Sequence, residues 1–196
     1  MILFLDFLLA KVFESKAIPK SIVESAFNKT LADVKYHFPN LSNDEIENRI
    51  KSNSSELAIF LYRIGSELHQ CNLDDLKPQI HWLLKELCGC EIYFNTIIEE
   101  GFYVVHGQGL VIGSRNRIGK GFVIHQGCTI GHKINGIGNG NVIGDNVTMY
   151  CNSSIIGELK IGDNSIIGAH VLLTKDLNVK NIVTVAINNK EKTISK

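Results

Sequence analysis

Large aliphatic residues recur at every sixth position in the second half of the chain. They form two columns with a break between them: Ile112, Ile118, Ile124 and Ile130, then Ile143, Met149, Ile155, Ile161, Ile167 and Leu173. In many repeats Gly follows the aliphatic residue, and Gly, Asn and Asp tolerate the backbone of tight turns. Six residues are enough for one short strand and one turn, and three such units close a triangular coil of about 18 residues. The pattern predicts a parallel β-helix in which the column residues point inward and stack between coils.

The first half of the chain has a helical period instead. The residues from Ser42 to Glu45 combine a polar cap with acids in the first turn, which is typical of a helix start. Apolar residues then recur at helical spacing from Ser55 to Ile64 and from Leu76 to Leu87. We expect four to six helices. The predicted fold class is α+β, with an α-helical oligomerisation domain over residues 1–90, a β-helix domain over 91–185 and a C-terminal tail over 186–196.

Two segments of the second half do not follow the six-residue period. His106 precedes the first column, and the polar stretch from His132 to Val142 separates the two columns. A purely mechanical solenoid explains the columns but not this break. Because functional residues are often placed on loops that a rigid scaffold holds, both segments are candidates for a site.

Composition excludes several classes of protein. Hydrophobic residues make up 44% of the chain, charged residues 20%, and the formal net charge is zero. These values are not typical of a disordered chain, and there is no basic excess for binding nucleic acid. The five cysteines show no disulfide framework, which predicts reduced thiols in a cytoplasmic protein. Cys88 and Cys90 are separated by one residue, not by the two of common zinc pairs, so no metal is expected.

The N-terminal stretch from Met1 to Ala10 is strongly apolar. It lacks a basic region and a small-residue cleavage site, contains Asp6, and is too short to span a bilayer. We therefore expect a buried helix or an oligomer contact, and no membrane span.

Three segments resemble serine acetyltransferases. Phe60 to Gly65 contains the Tyr-Arg-Ile-Gly segment of that family's helical domain. His106 to Gly113 resembles its His-x-x-Gly-(aliphatic)-Val-(aliphatic)-Gly motif, and Gln126 to Gly131 resembles its Gln-x-Val-Thr-Leu-Gly coil. The resemblance covers roughly residues 55–185. It implies a left-handed β-helix after the helical half, and an acetyl-CoA-dependent acetyltransferase.

A hydroxyl group is a weak nucleophile near neutral pH, so O-acetylation requires a base within hydrogen-bond reach. Histidine suits this role because its ordinary pKa lies near working pH. The resemblance implies that His106 is the general base. It also implies that Glu91, fifteen residues upstream, orients the imidazole.

The sequence departs from the family where the acceptor is bound. An Arg-His pair in the family's loop corresponds here to Asn139 and Gly140, and the acid before the catalytic histidine is replaced by Val105. The missing charges favour a sugar or surface-glycan hydroxyl over L-serine, although the family match favours serine. The candidate acceptor-binding residues are His125, His132, Lys133, Asn139 and Asn141.

The resemblance further implies that acetyl-CoA lies along the β-helix between neighbouring subunits. The matching positions are Cys151, Gly157, Gly168 and Ala169, and Lys175 is a candidate contact for the CoA phosphates. A homotrimer is expected, because packing three narrow β-helices buries their flat faces and creates clefts. The helical half offers a surface for joining two trimers.

Two other classes of function remain open. A metal-dependent hydratase of the γ-carbonic anhydrase type needs three converging histidines, for which His106, His125 and His132 are available. A non-catalytic trimeric scaffold that binds a partner is the other alternative.

Overall fold

The computed structural model describes residues 1–134, 136–187 and 190–195. Five α-helices and one short 3-10 helix come first, within the predicted range of four to six. Their bounds are α1 Ile2–Leu9, α2 Lys20–His37, α3 Asn43–Ser52, α4 Ser54–Gln70, the 3-10 helix Asp74–Leu76 and α5 Lys77–Cys88.

Local sequence accounts for several helix ends. Ser42 caps α3 in a full capping box, because its side chain accepts from the Glu45 N–H while the Glu45 carboxylate accepts from the Ser42 N–H. Pro78 lies in the first turn of α5, where a missing N–H costs nothing, and Gly89 ends that helix at φ 64°. The helix start predicted at Ser42 is confirmed.

The N-terminal helix α1 is half embedded. Leu5, Leu8 and Leu9 are buried, whereas Leu3 and Phe7 are exposed. This helix packs on the core through one face and leaves an apolar face in solvent. No helix among the described residues has both the length and the apolar content needed to cross a membrane.

Short parallel strands follow and form three sheets, which we call A, B and C. Sheet A contains β1, β4, β7, β10 and β13, sheet B contains β2, β5, β8 and β11, and sheet C contains β3, β6, β9, β12, β14 and β15. The chain visits the sheets in the order A, B, C and repeats, as a parallel β-helix requires. The strand bounds are β1 Glu91–Ile92, β2 Ile97–Ile98, β3 Tyr103–Val105, β4 Val111–Ile112, β5 Arg117–Ile118, β6 Val123–His125, β7 Thr129–Gly131, β8 Val142–Ile143, β9 Thr148–Met149, β10 Ser154–Ile156, β11 Lys160–Ile161, β12 Ile166–Ile167, β13 Leu172–Leu173, β14 Ile182–Ile187 and β15 Lys190–Ser195.

The aliphatic columns form the interior of the β-helix. All ten column residues are at most 4% exposed. The register stacks Ile112 on Ile130 in sheet A, Ile118 on Ile143 in sheet B and Ile124 on Met149 in sheet C. An additional coil, not predicted from the columns, precedes them with Ile92, Ile98 and Val104 at the same spacing.

The last described strands extend sheet C. β14 pairs in parallel with β12 and antiparallel with β15. The segment predicted as a tail therefore contributes a hairpin that adds to the end of the β-helix.

The Tyr-Arg-Ile-Gly segment of α4 joins the helical half to the first coil. The Tyr62 hydroxyl donates to the Thr96 carbonyl at 2.8 Å. Gly65 lies against the Phe94 ring so closely that a Cβ at this position would be 2.2 Å from it. The residue types of this segment are therefore explained by packing between the two halves, and not by chemistry.

Arg63 and Asp33 form the central ion pair of this junction. Two guanidinium nitrogens of Arg63 each donate to an Asp33 oxygen at 2.7 Å, and the same guanidinium donates to the carbonyls of Ile98 and Glu99. Asp33 also accepts from the backbone N–H groups of Gly101 and Phe102. Burial raises the pKa of the Asp33 carboxyl, and these donors oppose that shift.

Replacing Arg63 with Ala should strongly destabilise the protein. Asp33 would remain buried without its countercharge, and breaking a buried pair in this way costs about 3–5 kcal/mol. The loss should appear in the free energy of unfolding measured by urea titration.

Lys16→Ala is the matched control for this substitution. Lys16 pairs with Asp75 at the surface, where both side chains are more than half exposed, and such pairs contribute about 0–1 kcal/mol. An Arg63→Ala loss no larger than that of the control would contradict the assigned role of the buried pair.

Candidate active site

His106 lies in a two-residue insertion between sheets C and A. Val105 pairs with His125 and Val111 pairs with Thr129. Five residues (106–110) therefore connect β3 to β4, whereas only three (126–128) connect β6 to β7 in the next coil. The Gly127 N–H donates to the Gln108 carbonyl, which aligns Gln108 with Gln126 of the next coil and leaves His106 and Gly107 as the extra residues.

The backbone of this insertion is left-handed. His106 has φ 66° and Gly107 has φ 57°. A left-handed conformation costs a non-glycine residue about 1–2 kcal/mol, and such outliers concentrate at functional sites. The side chain of His106 is exposed, so the insertion presents an imidazole to solvent at the corner of the coil.

His125 and Tyr150 adjoin His106 on the outer face of sheet C. Tyr150 follows Met149 of β9 just as His125 follows Ile124 of β6, so the two residues occupy equivalent positions in adjacent coils. Their rings are tilted by 32° with centroids 4.8 Å apart. Burial lowers the pKa of His125, and the nearby His106 lowers it further. His125 is therefore a neutral imidazole near pH 7.

We name this edge the histidine corner. It comprises residues 105–109, 125–127, 150–152 and 168–170, one segment from each of four successive coils. All of these residues belong to the described part of the chain, and none of them is Asp, Glu, Lys or Arg. The corner therefore offers imidazole, amide, hydroxyl and backbone groups, but no fixed charge.

Glu91 does not pair with His106 in this structure. Its carboxylate accepts from the Lys85 ammonium at 3.1 Å and lies 3.5 Å from the His81 Nε2. Both partners belong to α5, which ends just before β1. The pairing expected from the resemblance is thus replaced by an anchor between α5 and the first coil.

A second corner, between sheets A and B, holds the insertion that interrupts the columns. Ile112 is followed by the next column residue after six positions, but Ile130 is followed by Ile143 after thirteen, so seven residues are extra. We name residues 113–116, 132–134, 136–141, 157–159 and 174–176 the loop corner.

Arg115 holds the long loop in place. Its guanidinium donates to the Gly138 carbonyl at 2.8 Å and to the Gly136 carbonyl at 3.1 Å. The Nε2 of His132 lies 2.9 Å from the Ser114 carbonyl, which assigns the proton to that nitrogen. The Nδ1 of His132 is buried and has no hydrogen-bond partner among the described residues.

The other predicted acceptor contacts of the loop differ in accessibility. Lys133 is exposed and lines a cavity of about 370 Å³ together with Ile134 and Ile137. Asn139 is exposed and its amide donates to Glu158 at 3.4 Å.

Asn141 cannot contact an acceptor in this structure. It is fully buried, and its amide donates to Asn116 and to the Gly131 carbonyl. Its role is to complete hydrogen bonds inside the coil where the loop returns to the six-residue period.

The predicted acetyl-CoA contacts are divided between the two corners. Cys151, Gly168 and Ala169 lie on the histidine corner, whereas Gly157 lies on the loop corner together with the exposed Lys175. His132 likewise lies on the loop corner, apart from His106 and His125. No group of three or more His, Cys, Asp or Glu side chains in the described residues could hold a metal ion.

The sequence interpretation missed Tyr150 and Arg115. A signal for Tyr150 was present, because six repeats have Gly directly after the column residue while residues 125 and 150 are aromatic. For Arg115 there was none, because its role depends on the path of a loop that has no repeat.

Comparisons with known proteins agree with this architecture. The family model "Bacterial transferase hexapeptide (six repeats)" matches residues 137–175. A serine acetyltransferase of Helicobacter pylori (strain ATCC 700392 / 26695) is 29% identical over 140 residues, which cover 71% of this chain and 80% of that protein. A serine acetyltransferase of Staphylococcus xylosus is 32% identical over 114 residues, covering 58% of this chain and 53% of that protein.

Solved structures show the same fold. The crystal structure of Neisseria gonorrhoeae serine acetyltransferase matches with a TM-score of 0.75 at 24% identity, covering 90% of this chain and 67% of that chain. A serine acetyltransferase in complex with CoA matches with a TM-score of 0.70 at 20% identity, covering 89% of this chain and 70% of that chain. In its repeats, its helical half and its sequence, the chain is similar to serine acetyltransferases of the hexapeptide-repeat type.

Proposed function

We propose that this protein transfers the acetyl group of acetyl-CoA to a hydroxyl of a neutral acceptor, a sugar or surface glycan, with His106 as general base. The observation that supports this most directly is the placement of His106. The fold adds two residues to a regular coil, holds an unfavourable backbone conformation and exposes an imidazole there. Asn152 and His170 on the same corner are left-handed as well, but the regular coil does not require the two additional residues that present this imidazole.

The chemistry follows from this imidazole. A ring nitrogen of His106 takes the proton of the acceptor hydroxyl while the oxygen attacks the thioester carbonyl. The C–S bond then breaks, and the imidazolium returns its proton to the departing CoA sulfur. The products are an acetate ester and free CoA thiol.

Three features support acetyl-CoA as the donor. A solved relative is a complex with CoA. Cys151, Gly168 and Ala169 follow His106 along the histidine corner, and small side chains of this kind allow a ligand to approach the backbone. All five cysteines are free thiols, as expected of a cytoplasmic protein.

The division of site residues between two corners supports a trimer. One protomer cannot bring its loop corner to its own histidine corner, because sheet A lies between them. Three β-helices around one axis would place the loop corner of each protomer beside the histidine corner of the next. His132 and Lys133 would then face His106 across a subunit boundary.

The charges of the site indicate which acceptor it favours. L-serine has an ammonium and a carboxylate group, and charges taken out of water must be paired. Among the predicted acceptor contacts only Lys133 has a fixed charge, so the ammonium group of L-serine would have no carboxylate partner, whereas neutral hydroxyl groups need only hydrogen bonds. L-serine is the competing acceptor, because the relatives are named for it.

His106→Asn should lower the rate of acetyl transfer by about 10²-fold or more, the typical contribution of a positioned base. Asn tolerates a left-handed backbone, so the corner should keep its shape. Turnover is measured as release of free CoA thiol, and size-exclusion chromatography verifies the assembly.

His69→Ala is the matched control, since this histidine lies in α4, has its Nδ1 3.3 Å from the Lys77 Nζ and belongs to neither corner. It should leave turnover within about twofold of the wild type, as expected of a residue without catalytic contacts. A rate for His106→Asn that equals the control would remove His106 from the mechanism.

The acceptor preference is tested in the same assay. Methyl glycosides of glucose, galactose and mannose are compared with L-serine at equal concentrations. The best glycoside should exceed L-serine in kcat/KM by at least about tenfold, corresponding to about 1.4 kcal/mol of discrimination. A higher kcat/KM for L-serine than for every glycoside would identify the amino acid as the preferred acceptor. An absence of thiol release with any hydroxyl compound would refute the enzymatic proposal.

A further inference from the structure

We propose that His125, held in place by Tyr150, binds the hydroxyl adjacent to the one that is acetylated, so that the acceptor is a vicinal diol. This inference rests on the proposed function, because it assigns the second polar contact of the same acceptor. It names a structural element of the acceptor that the proposed function leaves open.

The two imidazoles are correctly placed for such a pair of contacts. His125 pairs in register with Val105, the residue directly before His106. Adjacent coils are separated by the spacing of neighbouring strands, about 4.8 Å. Each imidazole can reach a hydroxyl oxygen through a hydrogen bond of about 2.8 Å. Two oxygens on adjacent carbons of a sugar ring can therefore be bound by the two side chains at once.

Tyr150 fixes the orientation of His125. The Tyr150 ring lies 4.8 Å from the imidazole with only 32° between the planes, so it covers one face of His125. Rotation of the imidazole about χ1 would break this contact, which stabilises aromatic pairs beyond the area that they bury. Tyr150 is therefore a positioning residue that leaves the ring nitrogens of His125 at the edge of the stack.

The protonation state of His125 suits a hydroxyl partner. Burial keeps this imidazole neutral, and a neutral imidazole has one donor and one acceptor nitrogen. A hydroxyl group also donates and accepts, so the two match. The side chains near His125 include Val105, His106 and Tyr150, and none of them is Asp, Glu, Lys or Arg.

The aromatic pair is not explained by the packing of the β-helix. The interior consists of the columns, whereas His125 is half-buried and Tyr150 is 42% exposed on the outer face. Gly168 takes the equivalent position in the next coil, so no side chain there covers the second face of Tyr150. Five other repeats likewise have Gly directly after the column residue, which shows that the coil does not require a ring there.

The test compares a diol with its deoxy analogue. The methyl glycoside that is turned over best is assayed beside the monodeoxy analogues that lack a hydroxyl next to the acetylated carbon. The wild type should prefer the diol by about 10–100-fold in kcat/KM, the scale expected when a site's polar group loses its partner. The loss should lie mainly in KM, because the second hydroxyl takes no part in bond making.

Three variants assign this preference to the aromatic pair. His125→Phe keeps a ring for Tyr150 but removes both nitrogens, so the ratio of diol to deoxy kcat/KM should fall towards one. Tyr150→Ala should lower the ratio as well, whereas Tyr150→Phe should restore it because the stack is retained. Lys160→Ala, on the outer face of sheet B, serves as the control and should keep the wild-type ratio.

The outcomes separate this inference from the proposed function. Equal turnover of diol and deoxy acceptors by the wild type would overturn the diol assignment and leave acetyl transfer to sugars intact. A His125→Phe variant that keeps the wild-type ratio would overturn the role of His125. If the wild type acetylates no hydroxyl compound, the proposed function and this inference fail together.

Discussion

Each coil of the β-helix has to stay in hydrogen-bond register with the coils on both sides of it. The Val111 N–H donates to the Cys128 carbonyl, and the Thr129 N–H donates in turn to the Ser153 carbonyl. Adding one residue within a strand would turn its inward side chain to the outer face. Additional residues are therefore accommodated only at the corners, between strands. This constraint decides where the fold can place a side chain that is free of packing.

The same constraint creates two exposed ends; helices cover the first, and a hairpin extends one sheet of the last. The first coil has unpaired strand edges, which are open to association with other strands. Helices α4 and α5 pack against β3 and β1, and Arg63 donates to the carbonyls of Ile98 and Glu99. At the other end the β14–β15 hairpin continues sheet C. The helical half thus closes the solenoid at the end next to His106, and it holds the first coil rigid beneath that residue.

The fold could be predicted from the sequence because the column residues depend only on the six-residue period. The capping box at Ser42 was equally local. The first coil was missed because Tyr93, Glu99 and Val105 stand after its inward residues, where later coils often have Gly.

The site was predicted less completely, because it depends on contacts between distant segments. His106 was singled out by its place outside the columns, and the structure places it in a two-residue insertion at a corner of the coil. The spacing of residues along the sequence does not reveal the partners of Glu91, because Lys85 and His81 reach it from α5. Asn141 looked like a loop residue, yet the return to the six-residue period places it inside the coil. In both cases a residue within the predicted motif is used to hold the structure together.

Two features of the histidine corner have one physical explanation. The corner has no charged side chains, and it has aromatic ones. A charged acceptor must exchange its hydration for salt bridges, and a site without fixed charges leaves that exchange unfavourable. A polyhydroxyl acceptor exchanges hydrogen bonds with water for hydrogen bonds with imidazole and amide groups, at little net cost. Its carbon skeleton can also bury against ring faces such as that of Tyr150. His125 and Tyr150 appear on this corner together with the absence of Asp, Glu, Lys and Arg, and both features would lower the cost of holding a neutral acceptor of the kind that we propose.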